Sequence, residues 1–130
     1  MTGQALLYAY MNIFGRPGLE NYAAGVRDGD VEGHHSVIFG AICGGHDISG
    51  SDAVLTFLQT AVSSLAGVAS RLVPLGQVEA QRIITRTWPL IQEASRDALD
   101  ADVDDMNAIT VSLEMASMQH ETLQTRLCIS

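Results

Sequence analysis

One repeat governs what this chain can become. From Ser51 onward Val54, Leu58, Ala61, Val62, Leu65, Ala69 and Leu72 return every three or four positions, the spacing that gathers side chains along one side of an α-helix. Ser49 and Asp52 stand just ahead of them as a capping box, in which hydroxyl and carboxylate satisfy free N–H groups of the first turn. Pro74 closes that helix or opens the next, and Gly76 marks the corner. A second helix is predicted from about Val78, with Ile83, Ile84, Trp88 and Ile91 apolar and Glu79, Arg82, Arg86 and Glu93 on its polar face. Pro89 falls inside it and should kink or split it. The acidic stretch 97–105 reads as a solvated loop or cap, and Asp104 or Asp105 suits the N-cap of a last helix. There Met106, Ile109, Leu113, Ala116, His120, Leu123 and Leu127 alternate by three and four, a heptad-type seam that puts His120 on the apolar stripe. Val111, Met115 and Met118 widen that stripe, as expected of a helix central to a bundle or shared with a partner.

The first third of the chain is less regular. Gln4 to Phe14 is apolar nearly all round and reads as an uncapped helix in which Leu6, Leu7, Tyr8 and Tyr10 want burial, an abrupt start that suggests truncation. Residues 15–35 hold several glycines and four acids and read as loop, with room for a short helical turn around Asn21–Val26. The apolar run "SVIFGAICGG" (36–45) fits either a strand or a buried helix. The class is all-α: a helical bundle of about five to six helices, in one domain spanning residues 1–130.

Composition narrows the functions. The net charge is -8, and all seven cations are arginine. An acidic chain without a basic run repels phosphate backbones and anionic lipid, which argues against nucleic acid and membrane surfaces as partners. Cys43 and Cys128 lie far apart, and the N-terminus lacks the cationic start of a signal peptide. No apolar run approaches the roughly 18 residues of a membrane span. The expected compartment is the cytoplasm.

Candidate chemistry is sparse. His34, His35, Cys43 and His46 are metal-ligand types within one short region, which suggests a small metal-binding protein or metallohydrolase as an alternative function, with His34 and His35 the first candidates to touch nickel or zinc. Against it, the spacing is not that of a tight four-ligand site, and Cys43 lies in an apolar run where a thiol packs as a small hydrophobe. Cys43, His46 and Asp47 are near neighbours in sequence, whereas catalytic triads are assembled from distant segments. His120 reads as a core histidine. No phosphate-cradling loop or metalloprotease motif occurs. The sequence therefore points to an interaction protein without a catalytic residue or cofactor of its own.

Three ordered stretches carry a resemblance. "GHHSVIFGAICGG" (33–45), "ASRLVPLGQVEAQRII" (69–84) and "ASMQHETLQTRL" (116–127) closely resemble motifs of the urease accessory protein UreF family, well matched over residues 33–130 and more loosely over 1–32. The resemblance implies an all-helical, homodimeric scaffold. Its expected partners are UreD (UreH) and the GTPase UreG, through which nickel reaches apo-urease without firm binding to this chain. It also implies that a C-terminal tail, here Arg126, Leu127, Cys128, Ile129 and Ser130, is gripped by UreD/UreH, with His120 and Glu121 bracing the helix behind it. Arg71 and Gln77 would hold the Gly76 corner. Members of the family are longer, and the expected N-terminal helices have no counterpart here. The family tail carries an aromatic residue where this chain has Cys128, which removes ~1–3 kcal/mol of anchor burial. A proline common near Ser36 is also missing.

Overall fold

Ile38 is the most deeply buried side chain among the described residues, and the first three helices are arranged around it. The computed structural model describes residues 2–15, 18–105, 115, 116, 118 and 119. It contains α1 (Thr2–Phe14), α2 (Glu20–Asp28), α3 (His35–Gly45), α4 (Gly50–Leu72) and α5 (Gln77–Asp100). No strand occurs among the described residues. The chain divides into two compact units, residues 1–100 and 101–130.

In the first unit, α1 packs on α2 and α3, α3 on α4, and α4 along α5. Leu7, Val26 and Ile38 form one cluster, flanked by Leu6, Met11, Tyr22, Ala23 and Ile42. Of the α1 side chains expected to need cover, Leu7 and Tyr10 obtain it and Tyr8 remains 74% exposed. The start of α1 sits directly on the backbone of residues 33–35, an approach that only a glycine at position 3 allows.

One segment differs from the sequence reading and a second falls to one of its two alternatives. The loop expected over 15–35 contains a nine-residue helix, α2. Its mid-helix Gly25 faces Val31, and left-handed Gly29 (φ 84°) is its stop, donating its N–H to the Gly25 carbonyl. At its start the Glu20 carboxylate accepts from the Gly18 N–H at 2.6 Å. That bond, followed by one from its own backbone N–H, holds the carboxyl below its ordinary pKa. The run 36–45, left open between strand and helix, is helical, and its covered positions recur every four residues as Ile38 with Ile42 and Phe39 with Cys43.

The hydroxyl half of the predicted capping box ahead of α4 is present, while the Asp52 carboxylate meets the Ser49 hydroxyl instead of a backbone N–H. The Asp52 N–H donates to Ser49 Oγ at 3.2 Å, and the Ser49 hydroxyl donates to the Asp52 carboxylate at 2.6 Å. Ser49→Ala should lower stability by about 0.5–2 kcal/mol. Urea unfolding followed by circular dichroism checks this, with a lower midpoint and unchanged slope expected.

Pro89 neither splits α5 nor ends it: the helix runs unbroken from Gln77 to Asp100. Residues 80, 84, 87, 91 and 95 lie on its covered side, so the exposed Pro89 falls on the solvent side, where a helix tolerates a missing N–H. Asp97–Asp100, expected in the acidic link, are the last turn of α5. On α4, Leu65 and Leu72 of the predicted stripe are exposed. The expectation that no segment suits a bilayer also needs correcting. Gly50–Leu72 is long and apolar enough by length and composition, with a mean hydropathy of 1.5 over its best window. Serine, threonine and glutamine interrupt the apolar run without lowering that mean below the range of a span.

In the second unit a 3-10 turn spans Val103–Asp105. Asp102 and Asp105 brace it: the Val103 N–H donates to Asp102 Oδ1 at 2.6 Å, and the Asp102 N–H to Asp105 Oδ2 at 2.9 Å. Met115, Ala116, Met118 and Gln119 are helical and exposed, so Ala116 departs from the covered seam predicted for it. The other seam positions Met106, Ile109, Leu113, His120, Leu123 and Leu127, together with Glu121 and the tail residues Arg126, Cys128, Ile129 and Ser130, lie outside the described residues.

Candidate partner-binding surface

Two of the three histidines of the α3 region, His35 and His46, are engaged in packing. His46, just past α3, shares a 3.1 Å hydrogen bond between its Nε2 and the buried Tyr10 hydroxyl. Its ring stands edge-on to Tyr10 and Phe14, with centroids 5.7 and 6.0 Å away. His35 faces the other way, onto Phe57 of α4 at 5.7 Å, and Phe39 completes that aromatic group. His34 is exposed at the position preceding α3, where its side chain makes no capping bond. Cys43 is a buried free thiol.

These four residues therefore point to different neighbours. No group of three His, Cys, Asp or Glu side chains converges on a metal position among the described residues. Among the described residues the four positions of the metal-site alternative, His34, His35, Cys43 and His46, are not brought together, and the adjacent His34 and His35 diverge by about 100° at the helix start. The Cys43, His46, Asp47 set shares only backbone bonds of the helix end, the His46 N–H donating to the Cys43 carbonyl at 3.0 Å.

The corner residues separate as well. Arg71 Nε donates to the Gly67 carbonyl at 3.1 Å, one turn back on its own helix, and does not reach residue 76. Gly76 begins α5 by accepting the Ala80 N–H at 3.0 Å; its φ is not left-handed, and a Cβ there would meet nothing within 4 Å. The bend comes from Val73 and Pro74 rather than from a glycine requirement. Gln77 helps line a hollow of about 250 Å³ between α4 and α5 with Gln59, Ser63, Ser70 and Gln81. The Gln59 amide donates to Ser63 Oγ at 3.4 Å, while its Oε1 is buried without a partner. Sequence reasoning missed this hollow. Its trace is the run of small residues Ser63, Ala66, Gly67 and Ser70 on one side of α4.

The unit also presents uncovered apolar surface. At the α4–α5 end Leu65, Leu72, Val73 and Val78 are all more than half exposed, and Leu90 lies 64% exposed further along α5. A second region lies between α1 and α2, a groove of about 800 Å³ floored by Leu7, Met11, Ala23 and Val26. Exposed apolar area on this scale marks surfaces that other proteins cover.

The described residues thus form an all-α helical bundle with uncovered apolar sides. The sequence model of the UreF family matches residues 1–87, and the chain belongs to that family. It is 28% identical over 128 residues to the urease accessory protein UreF of Bacillus sp. (strain TB-90), covering 98% of this chain and 56% of the relative. It is 39% identical over 94 residues to that of Picosynechococcus sp., covering 72% of this chain and 42% of the relative. With that of Streptococcus salivarius it is 27% identical over its whole length, which is 55% of the relative. The chain thus spans about half the length of the curated relatives it matches. No solved structure matches it significantly.

Proposed function

We propose that this chain is a non-catalytic scaffold of urease maturation. In this reading it binds UreD/UreH and, within that complex, UreG, and assists the GTP-dependent insertion of nickel into apo-urease. The metal is handled by the partner complex, and the chain itself holds no cofactor. It works in the cytoplasm, as a homodimer, away from nucleic acid and membrane. Membership of the UreF family is the observation that carries this reading. The exposed apolar surfaces of α4 and α5 support it, since a scaffold must leave area for others to cover.

Within that function the tail Arg126, Leu127, Cys128, Ile129 and Ser130 is the segment UreD/UreH grips, braced by His120 and Glu121. A thiol at position 128 gives a smaller anchor than a ring would. Pull-down of UreD/UreH by the full chain and by a chain ending at Thr125 tests this. The full chain should retain UreD/UreH and the shortened chain should lose most of it. Equal recovery removes the tail from the interface, and no recovery by either chain removes the scaffold reading. Restoring an aromatic side chain with Cys128→Phe should strengthen retention.

A further inference from the structure

We propose that the solvent side of α5 around Arg82 and Arg86 is a docking strip for a carboxylate-bearing helix of a partner protein. The covered side of α5 is fixed by its packing on α4, through Ala80, Ile84, Thr87 and Ile91. Arg82 and Arg86 sit one turn apart on the opposite side, where with Val78, Gln81 and Thr85 they line a shallow hollow of about 420 Å³. They are the only two arginines one helical turn apart among the described residues.

Their pairing states differ. Arg82 is held toward Glu79 at 3.2 Å, which uses one nitrogen of its fork. Arg27 pairs with Asp28, and Arg71 and Arg96 each donate to a backbone carbonyl one turn back. Arg86 alone among the described arginines has a guanidinium with no hydrogen bond or ion pair. In a chain with 15 acids and 7 cations, a guanidinium left unpaired beside a hollow is a vacant anion contact.

Three arguments select the occupant. A guanidinium fork matches a carboxylate in two-point geometry. Two acids at i and i+4 of a helix are about 6 Å apart, the same separation as two arginines one turn apart on α5. The strip is also flanked by apolar side chains, Val78 and Leu90, at 66% and 64% exposure. An amphipathic helix satisfies both parts at once, whereas a free anion leaves the apolar flank uncovered. The net charge of -8 opposes a polyanion such as nucleic acid and keeps an acidic partner from settling elsewhere on the chain.

The inference rests on the scaffold reading in one respect, that the chain acts by being held; the partner's chemistry comes from α5. The test is fluorescence anisotropy of a labelled amphipathic peptide helix with glutamates at i and i+4 beside leucines, titrated with the full chain at low and at tenfold higher salt. Binding should weaken about tenfold in Arg82→Gln/Arg86→Gln, weaken at high salt, and stay unchanged in Arg96→Gln. Circular dichroism should show equal helicity in all variants. The proposal is overturned by absence of binding to the wild-type chain, by equal binding to the double variant, or by displacement with inorganic phosphate or an oligonucleotide. It is also overturned if sedimentation shows that the strip joins two copies of this chain. Retrieval of UreD/UreH by the same variants reads the scaffold function separately. Peptide binding with no UreD/UreH retrieval sinks only that function, and the reverse sinks only the strip.

Discussion

Ile38→Ala is expected to lower the unfolding free energy by about 2–5 kcal/mol, the range for truncating a fully buried isoleucine. Ile38 is 0% exposed and touches the cluster that joins α1, α2 and α3. The loss combines the transfer energy of the deleted carbons with a cavity that three helices cannot all close. Since small domains are stable by about 5–15 kcal/mol in total, one such change removes a large part of the margin. Urea titration followed by helicity provides the measurement, and Val37→Ala on the adjacent, half-exposed position is the control. The control should move stability by no more than about 0.5 kcal/mol. A shift of similar size at both positions would mean that α3 is not packed as described.

Gly3→Ala is the second large effect, and its cause is steric. A Cβ at residue 3 would fall directly on the Gly33 carbonyl oxygen and lie 2.7 Å from the His35 nitrogen. Both obstacles are backbone, so neither can swing aside, and α1 must lift from the start of α3. A cost of about 1–3 kcal/mol or more follows. Gly33→Ala should cost less, because its Cβ would meet the Gln4 Cγ at 2.8 Å, a flexible side chain, along with Val26 Cγ1 at 3.0 Å. Gly40 lies mid-helix with nothing within 4 Å of an added Cβ. Alanine there should stabilise the fold by about 0.5–1 kcal/mol through the unfolded chain. Thermal melts of the three variants should rank Gly40→Ala above wild type, then Gly33→Ala, then Gly3→Ala. A wild-type melt for Gly3→Ala would contradict the contact.

The sequence disclosed those parts of the fold whose signals are local. The cap at Ser49 and Asp52, the length of α4 and the start of α5 follow from side-chain spacing and short-range hydrogen bonding, and each is found where expected. Helix α2 was harder to see. Its glycines resemble loop punctuation, yet Gly25 lies inside the helix with the Val31 side chain against it and Gly29 is the stop. Pro89 was read by its general tendency to break helices, while its effect depends on which side of α5 it occupies. That side is decided by packing against α4.

The same distinction applies to the candidate site. His34, His35, Cys43 and His46 suggested a metal centre because ligand types lay close in sequence. Their directions depend on α1 and α4, which supply Tyr10 to His46 and Phe57 to His35. Arg82 and Arg86 were legible as a polar face with Glu79 and Glu93. That Arg86 is left without a partner, and that a hollow opens beside it, emerges only when every other described arginine has been matched to an acceptor.

Helix α4 touches α3 on one side and α5 on another, and at 23 residues it is about 35 Å long. It therefore works as a strut. A protein seated in the groove between α1 and α2 and another lying along α5 would be kept at a set distance, with a stiff rod between them in place of a hinge. Two weak grips spaced in this way reinforce each other when a single bound body spans both, because the spacing is already paid in the free chain.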